Sequence, residues 1–193
     1  MNKKNAPFAE PEFEGVYGRY RITRADQLEV QRYRLALLLS GVAYTAGLCH
    51  WLVLGPTWAC LWLLPMAIGL GLTLKWIHIY LRPLHRSLQI FWAIGCIGTV
   101  LLAMRMVTEA MLPSLVQEPK LIWLIGPLFA SLSGVGFKEF FCFGRPEAIG
   151  LTLIIPAALL GHLSGLFSEK AVMTMLFTAA ILLLILAARK FGM

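Results

Sequence analysis

The stretch of sequence that decides the fold covers residues 171–189 and reads AVMTMLFTAAILLLILAAR. Its first 18 residues carry no charge and are nearly all apolar. At about 1.5 Å of rise per residue, a helix of this length crosses most of the hydrocarbon core of a bilayer. The stretch therefore predicts a transmembrane helix.

Five other apolar runs of similar length precede it. The six predicted spans are 35–54, 57–80, 88–107, 121–137, 148–166 and 171–189. The whole chain is 59% hydrophobic and 14% charged, whereas a soluble domain carries about 25% charged residues. We predict an all-α membrane protein, a six-transmembrane-helix bundle, with a polar basic N-terminal juxtamembrane segment at residues 1–34 and the transmembrane domain at residues 35–193.

The basic residues predict the orientation of this bundle. Fourteen of the 17 lysines and arginines fall on the loops that share a side with both termini, and three fall on the other loops. The acids divide seven to three, so the two sides carry 14 − 7 = +7 and 3 − 3 = 0. By the positive-inside rule, both termini are expected on the cytoplasmic side, or the stromal side in a plastid-type membrane.

The N-terminal segment is expected to lie at the membrane surface. Its arginines are predicted to bind anionic lipid headgroups: Arg19, Arg21, Arg24, Arg32 and Arg34. Residues 15–22 read as a short extended or turn segment, and Tyr33 suits the headgroup level, where its hydroxyl stays wet. Asp26 and Glu29 have the spacing of a capping box, which predicts that the first helix starts near Gln27.

Two segments share lysine, arginine and proline at the same spacing, offset by 63 residues. They are 75–83, KWIHIYLRP, and 138–146, KEFFCFGRP. This pattern predicts a parallel repeat in which helices 2 and 3 correspond to helices 4 and 5. An inner helix end that favours basic residues, aromatics and a following proline explains the pattern equally. If the repeat is real, Arg82 and Arg145 close helices, and changing them should matter more than changing Arg24 or Lys190.

Glycines recur inside the spans and predict close helix packing. Gly95 and Gly98 lie in the third span. Gly161 and Gly165 have the Gly-x-x-x-Gly spacing in the fifth.

Three runs carry a resemblance to a known family: IHIYLRPLHRSLQIFW at 77–92, GFKEFFCF at 136–143 and LLGHL at 159–163. They resemble a family of small integral membrane proteins of cyanobacteria and plant plastids, classed as a domain of unknown function. The resemblance extends from about Glu14 to the C-terminus. It implies a thylakoid or plasma membrane of a cyanobacterium-like cell, and it implies no activity.

The remaining polar residues allow three functions, and none matches a catalytic motif or a metal site. The leading interpretation is a non-enzymatic accessory or assembly protein that docks a larger membrane complex through its inner face, with no nucleic acid partner. The residues expected to bind that partner are Lys75, His78, Arg82, His85, Arg86, Trp92, Lys138, Glu139 and Arg145.

The first alternative is a small-solute or anion transporter, because charged residues at membrane depth often act as gates or proton relays. Its candidate residues are Arg105, Glu109, Lys138 and Glu139. The third interpretation is a b-type haem electron carrier. His50 and His162 are predicted at similar depth, and two facing imidazoles can ligate one haem.

Overall fold

The computed structural model of the protein describes residues 12–15, 18–21, 23–56, 58–79, 81–105 and 111–192. A short antiparallel hairpin comes first, in which β1 (Glu12–Gly15) pairs with β2 (Gly18–Arg21). Helices make up most of the rest. They are α1 (Arg24–Leu54), α2 (Leu63–Trp76), α3 (Arg82–Arg105), α4 (Met111–Gln117), α5 (Ile122–Phe143), α6 (Pro146–Leu163) and α7 (Glu169–Arg189).

Single 3-10 turns adjoin three of these helices, at Ala59–Trp62 before α2, at Pro119–Leu121 before α5 and at Lys190–Gly192 after α7. Among the described residues, six helical segments are long and apolar enough to cross a membrane, whereas the seven-residue α4 is not one of them. These six segments correspond to the six predicted spans and confirm a helical membrane protein.

The first helix starts earlier than predicted. Thr23 is its N-cap: the backbone N–H of Asp26 donates to the Thr23 hydroxyl at 3.2 Å, and the backbone N–H of Thr23 donates to the Asp26 carboxylate at 2.9 Å. The capping box is therefore Thr23 with Asp26: the Thr23 hydroxyl accepts one bond and the Thr23 backbone N–H donates the other, which is the reciprocal pair that defines the motif. The prediction that pairs Asp26 with Glu29 is wrong, and α1 runs unbroken through the predicted boundary at residue 34.

The connections at the arginine–proline pairs also differ from the prediction. The helix α2 ends at Trp76, where Ile77 turns extended, and α5 continues to Phe143, where Gly144 caps it with φ +60°. Arg82 and Arg145 begin the next helices instead of closing the preceding ones, since proline suits a first helical turn. The lysines of the two segments lie at unlike distances from these helix ends, and the parallel repeat stays a prediction.

Six long helices surround one core. Around the bundle the order is α1, α2, α3, α5, α6 and α7, and α7 returns to α1. The interior is filled by leucines with no exposed surface: Leu37, Leu70, Leu102, Leu128, Leu132, Leu151 and Leu183.

Glycine lets α3 approach α5 closely. A side chain at Gly95 would overlap the backbone of Leu128, and one at Gly98 would overlap the carbonyl of Leu124. The close packing predicted at this pair is confirmed. Gly161 and Gly165 are involved in the turn after α6 instead of a contact with another helix. Gly165 lies beyond α6 with φ +70°, and Gly161 faces the ring of Phe167. The interpretation of Gly161 and Gly165 as a contact between helices is therefore wrong.

Candidate functional site

The start of α1 and the end of α7 lie at the same end of the six-span bundle. We call it the basic end, because the starts of α3 and α6 and the ends of α2 and α5 bring most of the lysines and arginines there. The other end, with the loop between α6 and α7, is called the opposite end.

A carboxylate is buried at the basic end. Glu139, on α5, has no exposed surface. The Tyr33 hydroxyl of α1 donates to its Oε1 at 2.5 Å, the Lys138 ammonium lies 3.2 Å from the same oxygen, and the Lys190 ammonium pairs with Oε2. Tyr33, Lys138, Glu139 and Lys190 together form the buried ion cluster.

Aromatic rings surround the two ammonium groups of this cluster. The Lys190 nitrogen lies 3.6 Å from the centre of the Phe143 ring, and the Lys138 nitrogen lies 5.1 Å from it. The Lys138 nitrogen also lies 5.6 Å from the centre of the Tyr33 ring. Ring faces attract cations, and the attraction strengthens when water is excluded. The rings therefore replace part of the hydration that the buried lysines have lost.

The cluster joins helices that are far apart in the sequence. Tyr33 and Glu139 are separated by 106 residues, and Lys190 follows directly after α7. Because α1 and α5 are not neighbours in the order around the bundle, the bond between Tyr33 and Glu139 crosses the interior. The cluster therefore lies in the interior of the basic end and connects the helix ends there.

A second ion pair lies beside the cluster. Arg189 donates to both oxygens of Glu147 at 3.1 Å. The Glu147 side chain is almost fully buried and lies in the first turn of α6, where a helix favours negative charge. Two consecutive residues near the end of the chain, Arg189 and Lys190, thus hold α7 to α6 and to α5.

Within the cluster, both carboxylate oxygens of Glu139 have partners. One carboxylate faces two ammonium groups, so the cluster carries an excess positive charge if all groups are ionised. Removing one partner from such a group costs far more than exchanging the whole group for apolar side chains. Each charge of the buried ion cluster therefore depends on the others, and the intact cluster stabilises the contacts between the helices.

Two of the predicted partner-binding residues make contacts between helices. The Trp92 indole N–H donates to the Ala67 carbonyl at 2.8 Å, and His85 Nε2 lies 2.7 Å from the Leu74 carbonyl oxygen. Both contacts fasten α3 to α2, and both side chains are half-buried. Their predicted role in binding a partner stays a prediction.

Other predicted partner-binding residues are exposed at the basic end. Lys75, His78, Arg82 and Arg86 have exposed side chains. His78 Nε2 lies 3.8 Å from the Glu29 carboxylate, which ties the segment after α2 to the start of α1. Arg145 is half-buried at the N-cap of α6, and Lys138 and Glu139 belong to the buried ion cluster.

The arginines assigned to lipid headgroups fall into two groups. In the hairpin, Arg19 stands opposite Glu14 and Arg21 opposite Glu12. The others lie on the first turns of α1: Arg24, Arg32 and Arg34. The Arg32 guanidinium lies 5.9 Å from the centre of the Trp76 ring. Binding to lipid headgroups stays a prediction for all five.

The two histidines assigned to haem contact different partners. The Trp62 indole N–H donates to His50 Nδ1 at 3.3 Å, and His162 Nε2 lies 3.1 Å from the Leu115 carbonyl oxygen. The first bond uses Nδ1 of His50, and the second uses Nε2 of His162. The haem stays a prediction. Glu109 of the predicted transporter set lies outside the described residues, as does the side chain of Arg105.

Reasoning from sequence missed four residues of the site. The sequence places Tyr33 at the wet headgroup level, whereas in the structure it is 7% exposed and its hydroxyl donates to Glu139. The sequence places Lys190 among the basic residues of the inner side, with a smaller role than Arg82 or Arg145, whereas in the structure it is 5% exposed. Glu147 and Arg189 were counted only as loop charges. The available signal is the adjacent pair Lys138 and Glu139, two charges within an otherwise apolar helix end.

A family model matches residues 72–193, nearly two thirds of the chain. Its description reads uncharacterized integral membrane protein, DUF2301. The match is shorter than the predicted resemblance from Glu14, and it includes every cluster residue except Tyr33. No curated protein and no solved structure matches the chain. The chain is therefore a member of the DUF2301 family of integral membrane proteins.

Proposed function

We propose that this protein is a non-enzymatic accessory or assembly protein of a photosynthetic-type membrane, and that its basic end docks a larger membrane complex. One observation carries the proposal. The two segments selected from the sequence, 75–92 and 137–145, lie on helices that pack together: the Ser131 hydroxyl donates to the Leu88 carbonyl at 3.0 Å, and Leu88 packs against Gly134.

These neighbouring helices present two kinds of exposed side chain at the basic end. Arg82 and Arg86 are exposed at the start of α3, and Phe137 and Phe141 are exposed near the end of α5. The two phenylalanine rings contact each other in a tilted arrangement, with their centres 4.6 Å apart. Interfaces between proteins are enriched in aromatic residues and arginine. A partner that suits this surface has acidic residues beside an apolar patch.

The rigidity of the basic end supports the same proposal. The buried ion cluster and the pair of Glu147 with Arg189 hold the helix ends in place. A surface fixed in this way loses little conformational freedom when a partner binds. In this proposal the buried charges hold the helix ends in place, and the exposed arginines contact the partner.

Cross-linking can test this proposal in native membranes. A photoreactive amino acid at Leu81, which is 64% exposed at the basic end, is expected to cross-link one protein partner. The matched control is Trp123, which is 68% exposed at the start of α5, at the opposite end of the bundle. Changing Arg82→Gln with Arg86→Gln should weaken the complex by up to about thirtyfold, since each lost charge contact is worth up to about 1 kcal/mol.

The control for this double change is Lys120→Gln with Lys170→Gln, two exposed lysines at the opposite end. It should leave the cross-link unchanged. Equal cross-linking from Leu81 and Trp123, or a cross-link that survives the loss of both arginines, would exclude docking at the basic end. Cross-links from Leu81 to lipid alone would assign the arginines to headgroups.

The buried ion cluster favours a second candidate, an anion or small-solute transporter, since ionisable groups inside a membrane bundle often belong to a transport path. A transporter would have to open the contacts of Glu139 during each cycle. Anion efflux from proteoliposomes that is abolished by Lys138→Met, in a variant that stays folded, would favour this candidate over docking.

A further inference from the structure

A cavity of about 170 Å³ lies in the half of the bundle towards the opposite end. Residues of α1, α2, α5 and α7 form most of its wall, and α4, α6 and the turn before α2 contribute the rest. The wall is almost entirely apolar, and its members include Tyr44, Met66, Ile125, Phe129, Met173 and Leu176.

Two polar side chains of the wall, Tyr44 and His162, already have partners in the protein. The Tyr44 hydroxyl donates to the Leu176 carbonyl at 3.2 Å, and its ring packs edge-on against Phe129. His162 Nε2 bonds the Leu115 carbonyl at 3.1 Å. A cavity lined in this way offers water too few hydrogen bonds, and cavities of this kind stay dry and bind apolar molecules.

The cavity reaches the surface near the opposite end. Two of its lining residues, Trp62 and Glu169, are exposed. Tryptophan and charged residues are typical of the level of the lipid headgroups. An occupant can therefore keep a polar head near Trp62 and Glu169 while its apolar part enters the bundle.

We propose that this cavity binds one hydrocarbon chain of a membrane lipid. An engineered apolar cavity of about 150 Å³ is large enough to hold benzene, so this one accommodates several methylene groups. A chain suits the wall better than a quinone or another polar ring, because Tyr44 and His162 use their polar atoms on carbonyls of the protein. The bilayer supplies the chain. The site is independent of docking at the basic end.

Native mass spectrometry of the purified protein during titration with a phospholipid tests this inference. The wild-type protein is expected to bind one lipid molecule per protein molecule, and binding should saturate at that ratio. Ala43→Leu fills the cavity from α1, where Ala43 is 1% exposed. It should weaken retention about fiftyfold, because each displaced methylene is worth about fourfold in affinity.

Two further variants secure the result. Ala59→Leu fills the cavity from the turn before α2, and it should have the same effect if Ala43→Leu fails to fold. Ala130→Leu makes the same change on an exposed face of α5 and should retain the lipid. Equal retention in Ala59→Leu and wild type, or no one-to-one lipid adduct in the wild type, would overturn the inference.

Discussion

Glu139→Ala is expected to lower the free energy of unfolding by about 3–5 kcal/mol, the usual cost of removing one partner from a buried ion group. The change leaves the ammonium groups of Lys138 and Lys190 together at the basic end without their carboxylate, and it leaves the Tyr33 hydroxyl without its acceptor. Equilibrium unfolding in detergent micelles, followed by circular dichroism, measures the loss.

Two comparisons make this prediction specific. Glu118→Ala removes an exposed acid at the opposite end and should change stability by less than about 0.5 kcal/mol. Replacing the whole cluster by Tyr33→Phe, Lys138→Met, Glu139→Met and Lys190→Met should recover most of the loss, because no buried charge is then left unpaired. Wild-type stability in Glu139→Ala would mean that the cluster does not hold the helices together.

Gly98→Ala is expected to destabilise the protein by about 1–3 kcal/mol, at the upper end of that range, and Gly95→Ala by a similar amount. A methyl group at either position meets backbone atoms of α5, at Leu124 and Leu128. Backbone cannot rotate away as a flexible side chain can, so α3 has to move off α5. The same unfolding measurement detects the change.

Gly126→Ala is the matched control for these two glycines. An added methyl group there meets only the Ile122 side chain, at 3.7 Å, which is an ordinary contact. Alanine is favoured over glycine inside a helix, so this variant should be more stable than wild type by about 0.5–1 kcal/mol. Equal effects of Gly98→Ala and Gly126→Ala would show that the contact between α3 and α5 is not tight.

The six spans could be predicted from the sequence because each is a long apolar run, and lipid admits few structures other than helices for such runs. Their ends could not be predicted as well. Thr23 begins α1 through a hydroxyl bond that depends on local geometry, and Ile77 ends α2 by turning extended. Neither helix boundary coincides with a change in the hydropathy of the sequence, so an apolar run does not reveal it.

The buried ion cluster was beyond reach for a different reason. Lys138 and Glu139 were singled out as charges inside an aromatic run, which is a local signal. Their partners Tyr33 and Lys190 come from α1 and from the turn after α7, and only the packing of the bundle brings them together. Counting charges by side of the membrane treats Lys190 as a surface residue, because the count takes no account of burial.

The same limit applies to Trp92 and His85. Their residue types suit an interface, and the sequence alone favoured a partner for both. In the structure each contacts a carbonyl of α2, and the Leu74 carbonyl lies in the last turn, where carbonyls lack a partner within the helix. The exposed residues Arg82 and Arg86 are therefore better positions for testing a partner.

Docking through the inner face requires that the basic end faces the cytoplasm. Single cysteines at Ser87 and Lys170, both exposed and at different ends, can be labelled in a variant without native cysteines, expressed in a bacterial inner membrane. In intact spheroplasts, a membrane-impermeant maleimide is expected to label Lys170→Cys, and to label Ser87→Cys only after the membrane is permeabilised. Labelling of Ser87→Cys in intact spheroplasts, with Lys170→Cys protected, would contradict the account.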